Sequence, residues 1–581
     1  MRSSFLKRKP LALLLACLLT ACGGGGSSGS GAGTGVTPAP TPTPTPVPPV
    51  DSSIAITSAA GSVENRLACN KGAVVAECGL RIYQVMVESF VDGNPSADYN
   101  AGYGTSQHKG DLQGIINSLD YIKSTGSNAL WLTPVFESTP KAGQDIWTTR
   151  LDATGYFTSN YFNIDPKFGT LAQAKTLVAE AHKRGIYVFF DGVFGHHKDN
   201  LAPSPTGKLP VTTSTCLSDS GTYKAGSNQQ CDDYSSTATV DFYKEVVRYW
   251  ITQVGIDGWR LDQAYQIPTS AWQTLRAEVK SASQAVTYTN AAGTSVNPLG
   301  YMVAEVWSGE STIQSKAYGP TSSPALASAF DFPARYRVVQ TLAVEESGYG
   351  KQPATKLKEV FSTHSVYADH AMPNLMLTNH DLVRFGDLLQ RGGIAEPTND
   401  AYWARHKLAF SFMAAYSGPV TLYYGDEIGQ EVANFSTQQS SNTCAAAGLC
   451  DDHVSRSPAL VEGVATSFGG AVGVLNARQA DLKAYVAKLW ALRDANPALA
   501  YGSRTHVYAD STLYVDRKDA GSNRVLLIMN TGTSAASIKL DTAAIGADTG
   551  LTDLVAGDSI AAASGSYAIT VPALSARFLK F

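Results

Sequence analysis

Four acidic residues stand late in, or just after, short apolar runs: Asp191 in "IYVFFDGVFGH", Asp262 in "GIDGWRLDQAYQ", Glu305 in "YMVAEVW" and Asp381 in "NLMLTNHD". In "GWRLD" a cation and a carboxylate are two positions apart. Residues i and i+2 of an extended strand share a face, so Arg260 and Asp262 point one way while Trp259 and Leu261 point the other. Such a pair serves structure where a buried charge must be matched. It serves chemistry where the cation keeps a carboxylate ionised, ready to attack an electrophilic carbon. Glu305, flanked by Val303, Ala304, Val306 and Trp307, sits in an apolar setting that should raise its pKa toward that of a working acid. One ion pair cannot separate the two readings. Four acids gathered at one end of a sheet favour chemistry.

The elements that would gather them are legible as a pattern. From residue 81 onward short apolar runs alternate with segments of helical period, which predicts repeated βα units and a parallel sheet. The strand candidates are "RIYQVMVESF" from Arg81, "ALWLTPV" from Ala129, "IYVFFDGVFGH" from Ile186, "GIDGWRLD" from Gly255, "YMVAEVW" from Tyr301, "SAFDFP" from Ser328, "NLMLTNHD" from Asn374 and "VTLYYGDE" from Val420. Between them lie helix candidates such as "LAQAKTLVAEAHKRG" and "DFYKEVVRYWITQVG", each closed by a glycine suited to the position after a helix end, and "DLKAYVAKLWALRDAN" supplies the last. The pattern predicts an α/β fold, a (β/α)8 TIM barrel over residues 81–500, whose chemistry sits at the C-terminal ends of its strands. Residues from about 197 to 240 make a polar insertion after the third strand, too long for an ordinary loop. Residues 501–581 alternate as a C-terminal all-β sandwich, and residues 53–80 are an N-terminal extension.

The 581 residues carry 45 basic and 49 acidic side chains, a net charge of −4. With no basic run beyond the N-terminus, no nucleic acid partner is expected. The first 22 residues, "MRSSFLKRKPLALLLACLLTAC", have the basic and apolar regions of an export signal. Its "LTAC" end resembles the bacterial lipoprotein signal, which implies a lipid on Cys22 and a membrane anchor; an ordinary cleaved signal is the alternative. Gly23 supplies no acidic retention signal, so the expected address is the outer membrane, at the cell surface or facing the periplasm. Residues 23–52 are rich in Gly, Ser, Pro and Thr and read as a flexible, then extended, tether. Six cysteines remain as three local pairs, Cys69/Cys78, Cys216/Cys231 and Cys444/Cys450. In an oxidising compartment these are expected as disulfides, although six cysteines allow 15 connectivities and only proximity favours this one.

At the strand ends the chain resembles the α-amylase family of glycoside hydrolases, family 13. "DGVFGHH" at Asp191, "GWRLD" at Gly258, "VAEVW" at Val303 and "LTNHDLVR" at Leu377 match its four ordered regions, with "YFNIDPKFGT" and "YYGDEIG" also similar. The resemblance implies Asp262 as nucleophile, Glu305 as acid/base and Asp381 as stabiliser of the transition state. It implies that His196 and His380 bond the sugar being cleaved, that Tyr156 stacks beneath it, that Arg260 keeps Asp262 ionised, and that Arg384 anchors its loop. His197 is read as a supporting or surface residue.

The chain also departs from the family. Where the family usually has an asparagine that ligates calcium between barrel and excursion segment, Gly195 offers no side-chain oxygen, so that site is not expected. After Asp262, Tyr265 and Gln266 stand where many α-amylases place Lys and His, so the leaving-group side is built differently. A second calcium site, near the first strand, is expected from Asp92, Asn94, Asp98 and Asp111; a polar loop with Asx turns is the alternative. The implied activity is retaining hydrolysis of α-1,4-glucosidic bonds in starch-like glucans or maltodextrins. Alternatives are attack on cyclodextrins or pullulan, transfer to a sugar acceptor, and, more distantly, a glucan-binding surface protein without catalysis.

Overall fold

A computed structural model describes residues 53–64, 69–72, 75–99, 101, 105–139, 152–225, 229–432, 454–465, 471–548 and 550–581. Residues 53–581 form one compact unit. The expected signal, tether, Cys22 anchor and Cys444/Cys450 bridge lie outside the described residues. Among those described, no helix is long and apolar enough to cross a membrane.

The eight strand candidates close into a parallel barrel. They are β1 (Arg81–Val85), β2 (Ala129–Leu132), β3 (Tyr187–Gly192), β4 (Gly258–Leu261), β5 (Tyr301–Ala304), β6 (Ser328–Phe330), β7 (Met372–Met376) and β8 (Val420–Tyr423). Each strand pairs with its sequence neighbour, and β8 returns to β1 in register, Val420 opposite Arg81. Helices cover one face of this sheet and the barrel lumen the other, which is why the strands read as unbroken apolar runs. Ile82, Trp131, Phe189, Tyr301, Val303, Phe330 and Met376 fill the lumen as a packed core. The first long helix after β2, Leu171–Lys183, is capped by Thr170, whose side chain accepts from the Gln173 amide. The helix before β4, Thr237–Val254, ends on Gly255 at φ 87°, a conformation that costs glycine least. Arg493, on the last helix (Ala477–Ala495), is buried and donates to the carbonyls of Ala414, Tyr416 and Leu499, pinning that helix to the barrel.

Register decides what meets at the mouth. Arg260 on β4 lies opposite Asp191 on β3, and Leu261 lies opposite Ala304 on β5. Asp262 and Glu305 are the next residues on their strands. The Asp262 amide donates to Gly192 O at 3.0 Å and the Glu305 amide to Leu261 O at 2.9 Å, so the two acids leave the barrel at one level.

The insertion runs as short strands, His196–His197, Thr212–Thr213, Thr215–Leu217, Thr222–Lys224 and Gln230–Asp232, before the helix at Thr237. Disulfides join Cys69 to Cys78 and Cys216 to Cys231, as proximity suggested. The C-terminal sandwich has one difference from expectation: the first part of the N-terminal extension, residues 54–64, pairs with it. Ile54–Ile56 pairs in parallel with Ala536–Asp541 in one sheet, and Val63–Glu64 pairs with Ser503–Ala509 in the other. These strands are three and two residues long, too short to carry a period. The core between the sheets draws on both, with Val507, Val515 and Ile528 against Ile538, Leu540 and Ile569.

Candidate active site

Arg260 is the hub of the site and is fully buried. Its Nη1 donates to both oxygens of Asp191, at 2.9 and 2.8 Å, and to Asp262 Oδ1 at 3.0 Å. Its Nη2 lies 2.9 Å from Glu305 Oε2. The guanidinium sits over the Trp131 ring, 4.9 Å from the centroid, and Trp131 Nε1 donates to Asp191 at 3.3 Å. One cation is thus divided among three carboxylates, Asp262 as expected and also Asp191 and Glu305. The physical reason is cross-strand register, which a two-residue spacing cannot reveal.

Burial is the largest influence on these acids. It pushes Asp262 and Glu305 each up to about 7, with Arg260 opposing and neighbouring carboxylates adding to the rise. Asp191 rises to about 6 for the same first cause. Charges this close release protons as a cluster. The apolar setting expected for Glu305 is only half as read: Val306 is buried, but Trp307 is 42% exposed, stacked on Phe332 and donating to the Tyr336 hydroxyl at 2.8 Å.

Asp381 is held from the other side. Arg456 Nη2 lies 3.0 Å from its Oδ1, and His380 Nε2 3.1 Å from its Oδ2. Burial works to raise the Asp381 carboxyl, but His380, Arg456 and Arg260 together outweigh it and keep it below its usual range. Gln84 Nε2 donates to His380 Nδ1 at 2.9 Å, so the ring's proton is on Nε2, facing Asp381. Burial lowers His380 to about 3, leaving it neutral at working pH. Tyr156 stacks on His380, centroids 5.2 Å apart and planes at 11°, and its hydroxyl donates to Asp191 at 2.8 Å.

His196 Nδ1 donates to Gln266 Oε1 at 3.0 Å. His197 is buried, not on the surface, with Nδ1 bonded to Lys198 O at 2.5 Å. Arg384 is buried and donates to Tyr424 O at 2.7 Å, holding the loop after β7 against the end of β8. The seven expected residues Tyr156, His196, Arg260, Asp262, Glu305, His380 and Asp381 are therefore brought to one mouth. Asp191 is there with the other strand-end acids, as expected, and Gln84, Gln263 and Arg456 join them unforeseen. Arg456 comes from an irregular loop with no periodic signal. Gln263 lies just after Asp262, at φ 40°, and its amide donates to Glu305 Oε2 at 3.1 Å.

The metal readings divide. At the barrel–insertion junction a cation is already present as the Lys198 ammonium, buried 2.8 Å from Asp152 and 3.0 Å from Thr139 O. Near β1, Asp111 caps a helix, accepting from Gly114 with Oδ1 and from Gly93 and Asn94 with Oδ2. Asp92 Oδ1 and Asp98 Oδ1 are buried without a hydrogen-bond partner, while Asp98 Oδ2 lies 3.7 Å from Lys109. Asn94 Oδ1 accepts from Ser96. Among the described residues no three acidic, imidazole or thiol side chains already close round a common point, so a cation here would have to draw Asp92 and Asp98 together.

The α-amylase catalytic domain pattern matches residues 84–204 and 223–502. The crystal structure of AmyP in complex with maltose is 52% identical, covers 87% of this chain and 96% of its own, and superposes with a TM-score of 0.80. A cyclomaltodextrinase of Thermoanaerobacter pseudethanolicus is 27% identical over 494 residues, 79% of this chain and 71% of that protein. A β/α-amylase of Paenibacillus polymyxa is 26% identical over 513 residues, 84% of this chain, which spans 37% of that longer protein.

Proposed function

This chain belongs to the α-amylase family of glycoside hydrolases, and we propose that it hydrolyses α-1,4-glucosidic bonds in starch-like glucans or maltodextrins with retention of configuration. The observation that carries the reading is Asp262 and Glu305 side by side on the two ends of one guanidinium, with Asp381 braced opposite. Asp262 attacks the anomeric carbon as Glu305 passes its proton to the leaving oxygen, and the glycosidic bond breaks to give a glycosyl ester on Asp262. Glu305, now a carboxylate, takes a proton from water, whose oxygen displaces Asp262 and restores both acids. Asp381 and His380 hold ring hydroxyls and bind more tightly as positive charge develops on the ring.

Release of reducing sugar from soluble starch, followed by proton NMR before mutarotation, tests the reading. The α-anomer should come first; an initial β-anomer, or no reducing sugar, would overturn it. A second reading, opening of cyclodextrins or cleavage of pullulan, is supported by the cyclomaltodextrinase relative and by Tyr265 and Gln266 after the nucleophile. Product analysis on cyclodextrin, pullulan and maltooligosaccharides separates these, and also detects transfer to a sugar acceptor. The intact acid set opposes a binding protein without catalysis.

The same proposal places the enzyme outside the cytoplasm, anchored by lipid on Cys22, on the strength of the "LTAC" ending and the tether. A Cys22→Ala chain should leave the membrane fraction; its retention there would show another anchor. Calcium near β1 is supported by the two orphaned oxygens of Asp92 and Asp98, to which a hard cation would be matched. Asp111 would then orient the loop through its backbone bonds. Chelation should lower the unfolding temperature, and Asp92→Ala should abolish that sensitivity; no response to chelator would remove calcium from the account.

A further inference from the structure

Tyr223, in the insertion, is hydrogen-bonded to the turn that follows Asp262. In its hairpin Cys216 stands directly opposite Tyr223. On the adjoining strand pair Cys231 stands directly opposite His196. The Cys216–Cys231 disulfide joins these two registers. Gln266 closes the circuit from the barrel, accepting from His196 Nδ1 at 3.0 Å and donating through Nε2 to the Tyr223 hydroxyl at 2.7 Å. Five residues thus form a ring, covalent along one arm and hydrogen-bonded along the other.

The barrel arm is continuous with the acid/base residue. Gln266 Nε2 also donates to Gln263 Oε1 at 3.1 Å, the Tyr265 hydroxyl donates to the same oxygen at 2.9 Å, and the Gln263 amide donates to Glu305. Burial raises both phenols, with the carboxylates of Glu305 and Asp262 adding to the rise at Tyr265 and that of Asp262 at Tyr223. Both rings are half-buried. The departing sugar takes its proton from Glu305, which the Gln263 amide of this turn contacts.

We infer that Tyr223 forms a wall against which the leaving-group sugar of an α-glucan rests, and that Gln266 and the Cys216–Cys231 disulfide are the devices that position it. The inference rests on the glycosidase reading above. A tyrosine gives a sugar an apolar face and a hydroxyl at once. On an unrestrained hairpin that contact would be weakened by the entropy of ordering the ring; the clamp settles that cost before substrate arrives.

Steady-state kinetics and cleavage patterns on reducing-end-labelled maltopentaose test the inference. Tyr223→Ala should raise KM about ten-fold, the scale of one aromatic contact, and move the cleaved bond, with kcat changed far less. Cys216→Ala/Cys231→Ala should shift both readouts in the same direction by a smaller factor, whereas Cys69→Ala/Cys78→Ala, remote from the site, should not. Unchanged KM and pattern in Tyr223→Ala, or identical behaviour of the two cysteine-pair variants, would overturn the inference. If Tyr223→Ala does not fold, Tyr223→Phe decides: losing only the hydroxyl that Gln266 holds, it should raise KM about two- to three-fold, and a wild-type KM would count against the clamp. A wild-type enzyme inert on every α-glucan would sink the glycosidase reading itself, before any variant is made.

Discussion

Gly195 and Gln266 occupy one volume: a Cβ built on Gly195 would stand 2.1 Å from Gln266 Oε1 and 2.5 Å from Gln266 Cβ. The missing side chain that makes an interdomain calcium site unexpected is therefore matched by a glutamine that fills its place. Because Gln266 Cβ is among the clashing atoms, rotation of the amide alone cannot relieve the overlap. Gly195→Asn should lower stability by about 1 to 3 kcal/mol, the usual range for overpacking, with no recovery on adding calcium. Thermal unfolding with and without calcium measures this; stabilisation by calcium in the variant would mean that the site is latent after all.

Lys198 and Asp152 form a fully buried ion pair at the same junction. Removing the ammonium leaves a carboxylate that burial penalises, so Lys198→Met should cost roughly 3 to 5 kcal/mol. Lys198→Met/Asp152→Leu should recover most of that loss. Denaturant unfolding of both variants tests the pair; a single variant as stable as wild type would assign Asp152 to its other partners.

Asp262 yields a stability prediction with a definite sign. Burial raises its pKa from 3.8 to about 7, so between those values the folded chain holds a proton that the unfolded chain has lost. The contribution is fully present below about pH 4 and disappears as pH rises through about 7, leaving a buried charge above it. Asp262→Asn removes that cost, and its stability relative to wild type should grow by about 2 to 3 kcal/mol between pH 5 and pH 8. Glu305→Gln should follow the same sign, since its acid is raised for the same first reason. Calorimetry at the two pH values decides; an advantage that shrinks with pH would contradict the buried-acid account. Activity should meanwhile fall by several orders of magnitude in both variants.

The barrel was legible because its strands are buried on both faces and so appear as eight apolar runs, and because its acids break those runs at their ends. What spacing could not carry was anything set by register between strands or by irregular loops. Arg260 and Asp262 are two apart and readable as a pair; Asp191 meets the same guanidinium from 69 residues away. Arg456 and Tyr223 reach the site from segments with no period. Ile54–Ile56 and Val63–Glu64 join the sandwich through pairings too brief to mark themselves.

Gln84, at the end of β1, sets the tautomer of a histidine 296 residues away. Its amide donates to His380 Nδ1, so the imidazole proton is on Nε2, toward Asp381 Oδ2 at 3.1 Å. Gln84→Leu leaves both tautomers open and should lower kcat/KM about ten-fold, within the span of one positioned hydrogen bond. The loss should be nearly uniform from pH 5 to 8, because burial holds His380 at about 3 and it stays neutral across that window. Gln84→Glu is the sharper case. A carboxylate must accept from Nδ1, which either moves the proton away from Asp381 or stabilises the imidazolium with both nitrogens protonated. The second outcome raises the His380 pKa, so part of the lost activity should return as pH falls from 8 to 5. A pH–rate profile for the two variants, with the histidine titration followed by NMR, distinguishes them; parallel profiles would mean that Gln84 merely packs the barrel floor and that Arg456 alone orients Asp381.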